Sequence, residues 1–160
     1  MNFILDGMLG KLTRWLRMMG HDAQYSTADD TELLEIAKQE KRVLLTRDLA
    51  LYQQASARGT EAYYVEGNTE SERLAELAKR FGIPLEIDLK RSLCPKCNTN
   101  LINAPKEEIA DQLEKNTLLH YDEFWRCPNC GAVYWQGSHW TKIRATLGEA
   151  EEKLKKKNEA

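Results

Sequence analysis

Two short stretches of the chain carry large apolar residues with no polar interruption. Phe3-Ile4-Leu5 stops at Asp6-Gly7, and Val43-Leu44-Leu45-Thr46 stops at Arg47-Asp48. A strand with one wet face alternates apolar and polar positions; an unbroken run reads as a strand covered on both faces, as in parallel sheets. Between the runs the spacing becomes helical. Met8, Leu12, Trp15, Leu16 and Met19 share one face of a helix from Met8 to about Met19, capped by Gly20. Residues 21–26 read as a short edge strand. Leu33, Leu34, Ile36 and Ala37 mark a second helix ending at Glu40, with Asp29 and Glu32 as its capping box. Residues 49–57, stopped by Gly59, form a third helix that Asp48 can cap. Residues 62–65 are a further strand, and Thr69-Glu70-Ser71-Glu72 is a capping box for a helix to Phe81, closed by Gly82 and Pro84. This β-α alternation over about 85 residues predicts a central parallel sheet with right-handed crossovers and helices on both faces.

From Arg91 the pattern breaks, and the four cysteines take over as Cys94-Pro95-Lys96-Cys97 and Cys127-Pro128-Asn129-Cys130-Gly131. Two such pairs supply four thiolates for a structural Zn²⁺ with every position filled; iron is the minor alternative, and a redox dithiol needs fewer ligands. Comparable zinc peptides gain roughly 10–16 kcal/mol from the metal. Residues 105–113 between the pairs read as a short helix. Tyr121, Phe124, Trp125, Tyr134, Trp135 and Trp140 surround the second pair. They read mainly as a small core or dock, with one or two left for stacking on bases at about 1–3 kcal/mol each. His139 reads as a hydrogen-bonded structural residue, with a phosphate-facing role left open by Lys142 and Arg144. In residues 148–160 Glu and Lys cancel, which reads as a solvated or frayed helical tail. The expected organisation is therefore an α/β unit over 1–88, a zinc ribbon over 91–145 and a charged helical or disordered tail over 146–160.

Charge narrows the function classes. With 23 Lys and Arg against 25 Asp and Glu, the net charge of -2 excludes a uniformly basic nucleic-acid coat but leaves room for a local patch. Lys11, Arg14 and Arg17 form one such stripe on the first helix, either solvated or in contact with phosphate. No run of eighteen apolar residues is present, so no membrane span is expected. No signal peptide is read at the N-terminus, and the expected location is cytoplasmic, where paired cysteines stay reduced.

Asp6 and Asp48 each follow a strand of the expected sheet, and Asp30 lies one position inside the second helix. Each alone has a structural explanation, but capping does not require that they meet. Two carboxylates about 4 Å apart repel by about 4 kcal/mol at an effective dielectric of 20, and a divalent cation removes that conflict. Mg²⁺ or Mn²⁺ there would keep waters and phosphate oxygens as further ligands and support displacement at phosphorus. Thr46 could orient a ligand or water, and Arg47 could bind phosphate. Phosphatase-type chemistry through Asp6 is set aside, because residue 8 is Met where a second Asp is needed.

Asp6-Gly7-Met8-Leu9-Gly10-Lys11-Leu12, Arg14-Trp15-Leu16-Arg17, Leu45-Thr46-Arg47-Asp48 and Tyr134-Trp135-x-Gly137-Ser138-His139-Trp140 together resemble the PIN-like ribonuclease family with an appended zinc ribbon. The resemblance covers about residues 1–145. It implies a PIN-like three-layer α/β/α sandwich and metal-dependent hydrolysis of RNA phosphodiester bonds, with the ribbon assisting RNA binding. Family acidic positions carry over to Asp6 and Asp48, and to Asp30 in competition with Asp29; Glu66 is the candidate for a fourth. The other class of function is a non-catalytic RNA- or ribosome-binding adaptor. RNA target, endo- or exonucleolytic mode and oligomeric state are not encoded in these motifs.

Overall fold

The computed structural model describes residues 1–159. Four parallel strands, β1 (Asn2–Leu5), β2 (Asp22–Tyr25), β3 (Val43–Thr46) and β4 (Ala62–Tyr64), form one sheet in the order β2-β1-β3-β4. The helices α1 (Gly10–Met18), α2 (Asp30–Gln39), α3 (Leu49–Ala57) and α4 (Glu70–Phe81) alternate with them. Along β1 and β3 successive side chains enter different cores. Phe3, Leu5, Val43 and Leu45 pack with Leu12 and Leu16 of α1 and Leu74 and Leu77 of α4. Ile4 and Leu44 face the other way, onto Leu33 and Leu34 of α2 and Leu51 and Ala55 of α3. That is why neither run alternates: both faces are roofed by helices, and each fully buried Leu or Ile contributes roughly 1.5–3 kcal/mol.

The caps fall where the side chains put them. Asp29 Oδ1 accepts the Glu32 N–H at 2.9 Å, Asp48 Oδ1 the Leu51 N–H at 3.1 Å, and Thr69 Oγ1 the Glu72 N–H at 3.2 Å. Helix α1 begins later than its apolar spacing suggests. Residues 7–9 form a turn in which Leu9 N–H donates to Asp6 O at 3.1 Å. Met8, expected on the buried face, is 63% exposed, and Leu9 enters the core instead.

After Leu85–Asp88 a second, antiparallel sheet forms from β5 (Ile102–Asn103), β6 (Trp125–Arg126) and β7 (Val133–Tyr134). Between β5 and β6 lie α5 (Lys106–Ile109), a 3₁₀ turn over Ala110–Gln112 and α6 (Lys115–His120). Only the first had a legible signal. The last helix, α7 (Trp140–Glu159), corrects the reading of a solvated tail. It runs through Gly148 and lies along α4, with Ala150 fully buried and Leu147 and Leu154 packed into the first core. Its opening turn belongs elsewhere: Trp140 and Ile143 pack with Leu89, Leu101 and Trp125 around the cysteines. Ala160, the last residue of that tail, lies outside the described residues. Among the described residues no helix is long and apolar enough to cross a membrane.

Candidate functional site

Three features converge near the first helix: a sheet edge carrying carboxylates, a cationic cleft and a cysteine cluster. The sheet edge comes first. From β1 the chain moves to β2 on one side, whereas from β3 it moves to β4 on the other. The C-terminal ends of β1 and β3 therefore flank the point where the winding reverses, the place at which open α/β sheets bind ligands. Asp6 directly follows β1 and is 8% exposed. Its Oδ1 accepts the Met8 N–H at 3.3 Å and its Oδ2 accepts the hydroxyl of Thr46, the fully buried last residue of β3. The same hydroxyl oxygen accepts the Asp48 N–H at 2.9 Å. Thr46 thus links the ends of the two strands, one carboxylate to the backbone of the other.

Asp48 itself is exposed and holds the α3 cap. Asp30 occupies the first position of α2, and among the described residues no hydrogen bond ties it to Asp6 or Asp48. The three carboxylates do not form a group whose ligand atoms converge; among the described residues only the cysteines do. Arg47 is engaged with the neighbouring loop. Its Nη1 donates to Gly67 O and its Nη2 to Asn68 Oδ1 at 3.2 Å, so it holds the loop after β4. That loop is also organised by Glu76, a residue with no sequence signal beyond its place on α4. Glu76 is buried, and its carboxylate accepts the Glu66 N–H at 2.8 Å, the Gly67 N–H at 2.7 Å and the Tyr63 hydroxyl at 2.9 Å. Burial, with the Glu76 carboxylate beside it, holds the Tyr63 phenol well above its ordinary value.

The cleft lies between α1 and the first cysteine pair and has a volume of about 560 Å³. Lys11, Arg14 and Arg17 line one wall at successive intervals of three residues, and Lys96 and Pro95 line the other, with Tyr25 at one end. Among the described residues none of these four cations makes an ion pair, and no acidic side chain lines the cleft. In the sequence Lys96 reads only as the filler of a CxxC spacing. Arg17 does two jobs. Its Nε donates to Ala23 O at 2.8 Å and its Nη1 to Pro95 O at 2.9 Å, tying α1 to β2 and to the cysteine loop. Burial lowers its pKa, against the pull of Cys94, Cys97 and Asp22.

The two cysteine loops are built alike. Cys94 N–H and Cys127 N–H donate to Thr99 O and Ala132 O at 2.7 and 2.9 Å; Asn98 N–H and Gly131 N–H return to Cys94 O and Cys127 O at 2.8 and 2.9 Å. Asn98 and Gly131 take left-handed backbone, φ 63° and 78°, which explains the Gly in one loop and the tolerant Asn in the other. Neighbouring Sγ atoms are 3.6 to 3.8 Å apart, and all four lie within 4.8 Å of one another. Four sulfurs at about 2.3 Å from a central Zn²⁺ sit about 3.8 Å apart, so the three closest pairs already have the spacing a tetrahedral zinc needs. Burial pushes the Cys127 thiol up, but N–H groups of Cys130 and Asn129 and bonds from Cys97 and Cys130 bring it down to about 7. Tyr134 Oη lies 3.2 Å from Cys94 Sγ, where it supports the sulfur. The loop also docks on the sheet: Asn98 accepts the Ala23 N–H at 3.1 Å and donates to Asp22 Oδ1 at 2.7 Å, covering the edge strand β2.

Parallel α/β architecture, a cationic cleft and a four-cysteine cluster occur here together, and similarity to known proteins points to an RNA-related nuclease class. The family model described as the Mut7-C RNAse domain matches residues 1–147, and the chain belongs to that family. It is also similar to ribonuclease P protein component 4 of Methanopyrus kandleri, 32% identical over 97 residues, covering 58% of this chain and 73% of that protein. No solved structure matches the chain.

Proposed function

We propose that the protein is a metal-dependent ribonuclease with a PIN-like catalytic unit over residues 1–88 and an RNA-holding zinc ribbon over 91–145, acting in the cytoplasm. The observation that carries this reading is the Thr46 link at the winding reversal. It holds the Asp6 carboxylate, almost fully buried, beside the start of Asp48, at the mouth of the helix that carries the cations. In this reading Asp6 is the fixed ligand, and Asp48 and Asp30, whose carboxylates do not converge on it in this structure, would have to swing in to share Mg²⁺ or Mn²⁺ with waters and phosphate oxygens, with Glu66 as a fourth candidate. The metal, when bound, activates a water and stabilises charge on a phosphodiester being displaced. Thr46 and the Met8 N–H fix the Asp6 carboxylate, so its oxygens need no reorganisation on binding. Lys11, Arg14 and Lys96 neutralise phosphates along the cleft, with Arg17 contributing the part of its guanidinium that the Pro95 loop leaves over. Arg47 acts indirectly, by holding the loop that carries Glu66.

The test is cleavage of single-stranded and structured RNA with Mn²⁺, comparing the natural chain with Asp6→Asn and Asp48→Asn. Asn at position 48 can still accept the Leu51 N–H, whereas at position 6 its single oxygen can replace only one of the two acceptors, so circular dichroism checks that each variant is folded. Several kcal/mol of charge stabilisation converts to a loss of roughly a hundredfold or more in rate. Undiminished cleavage in both variants refutes the reading. A second reading, a non-catalytic RNA-binding adaptor, is favoured by the capping role of Asp48 and by the spread of the carboxylates. Tight RNA binding with no cleavage of any substrate would select it.

A further inference from the structure

The cationic cleft along α1 continues into a hollow of different character. This second hollow, of about 210 Å³, lies between α1, the cysteine loops and α7, and its walls are almost wholly apolar. Pro95 is common to both cavities, and Met18 and Ile143 are shared with a depression lined by Lys11, Arg14 and one acidic residue, Glu70. The cationic and apolar walls thus adjoin at Pro95, Met18 and Ile143. Three aromatic residues, Tyr134, Trp135 and Trp140, line the hollow together with His139.

Trp135 is held in position. It packs against Phe124 with ring centroids 6.1 Å apart and meets the His139 ring edge-on at 5.9 Å. A Cβ on Gly137 would come within 2.6 Å of Trp135 Nε1, so the glycine lets the indole lie against the turn that starts α7. Trp135 is half-buried and His139 exposed, so one end of the hollow is open. A dry apolar cavity of about 150 Å³ takes up benzene, so this larger one has room for a heteroaromatic ring.

We propose that the hollow receives one unpaired nucleobase while the phosphates of the same strand lie in the cationic cleft. This makes single-stranded RNA the substrate class; the assignment to RNA rests on the ribonuclease reading. A base inside a duplex must leave its stack to enter, whereas a base in a single strand is free to do so. The four cations supply the charge complementarity, and the aromatic walls supply a sequence-tolerant stacking surface.

The experiment uses the full zinc-loaded chain and fluorescence anisotropy with a short labelled oligoadenylate, its duplex with the complementary strand, and an abasic ribose-phosphate strand of equal length. The single strand should bind roughly 5- to 150-fold more tightly than the abasic strand, the range expected for stacking one base. It should also outcompete the duplex. Ile143→Phe, which adds bulk to the hollow from α7, should remove most of that advantage while zinc content stays that of the natural chain. Trp135→Leu should do so too, with zinc content reporting whether the ribbon is intact. Equal binding of intact and abasic strands overturns the proposal, as does an Ile143→Phe variant that keeps the full preference. These readouts need no cleavage. If cleavage fails everywhere but the base effect persists, the nuclease reading falls and the hollow stands; cleavage without a base effect gives the reverse.

Discussion

Replacing Thr46 by Val tests whether the link between the two strand ends is structural. Val keeps the shape of the side chain in a position with no solvent exposure, so no cavity opens. What it removes is the hydroxyl that donates to Asp6 Oδ2 and accepts the Asp48 N–H at 2.9 Å. A bond to a charged group contributes about 1.5–3 kcal/mol, and a buried group left without its partner costs about 1–3 kcal/mol. Asp6 keeps the weaker Met8 N–H bond at 3.3 Å, and the Asp48 N–H lies near solvent, so the total is about 2–4 kcal/mol. For a chain of this size that lowers Tm by roughly 5–12 °C. Thr46→Ser, which keeps the hydroxyl, should lie much closer to the natural chain. The assay is thermal unfolding of the zinc-loaded chain followed by circular dichroism at low ionic strength, without added Mg²⁺ or Mn²⁺. A Thr46→Val variant melting within about 1 °C of the natural chain, or a Ser variant melting as low as Val, would refute the link.

Chelating zinc should dismantle the ribbon, since its metal supplies roughly 10–16 kcal/mol in comparable sites; tryptophan fluorescence and elemental analysis check this, with one metal ion per chain expected. Asp22 is expected to shape the acid limb of stability. Its partial burial raises its pKa, but the bonds from Arg42 at 2.8 Å and Asn98 at 2.7 Å outweigh that and leave it lowered. A lowered carboxyl stabilises fully above its unfolded value, about 3.9, and that contribution disappears as pH falls through the folded one. Asp22→Asn should flatten this loss in urea titrations run between about pH 5 and 2. Gly148 lies within α7 with open space around its Cβ position, so Gly148→Ala should stabilise by about 1 kcal/mol, read as a higher urea midpoint.

Much of the first sheet is legible because the two buried runs lack alternation, and because Asp29, Asp48 and Thr69 declare their helices by capping chemistry. The cysteine cluster is legible because spacing alone fixes the ligands. Other parts are hidden for physical reasons. Helix α6 has no buried residue, so no periodicity marks it. Leu147, Ala150 and Leu154 do form an apolar stripe on α7, but Glu and Lys on every other face mask it. Met8 departs from its apolar spacing because the turn over residues 7–9 shifts the helical register, sending Leu9 inward. At the site, the stripe of Lys11, Arg14 and Arg17 was visible from its interval of three. The opposing wall, Lys96 and Pro95, depends on a tertiary approach that no local pattern encodes. Arg47 and Glu76 show the same limit: their partners are loop carbonyls and amides of Gly67 and Glu66, whose positions exist only in the folded chain.

The course of α7 has a mechanical consequence. One continuous rod is anchored by Trp140 and Ile143 beside the cysteines and by Ala150 and Leu154 beside the sheet. It works as a splint, so the ribbon cannot swing over the sheet edge as a lid without unseating one end of a helix. Under the proposed reading the interval from crevice to hollow is set by that rod, and a strand bound to both should match it in length rather than draw the protein closed around itself.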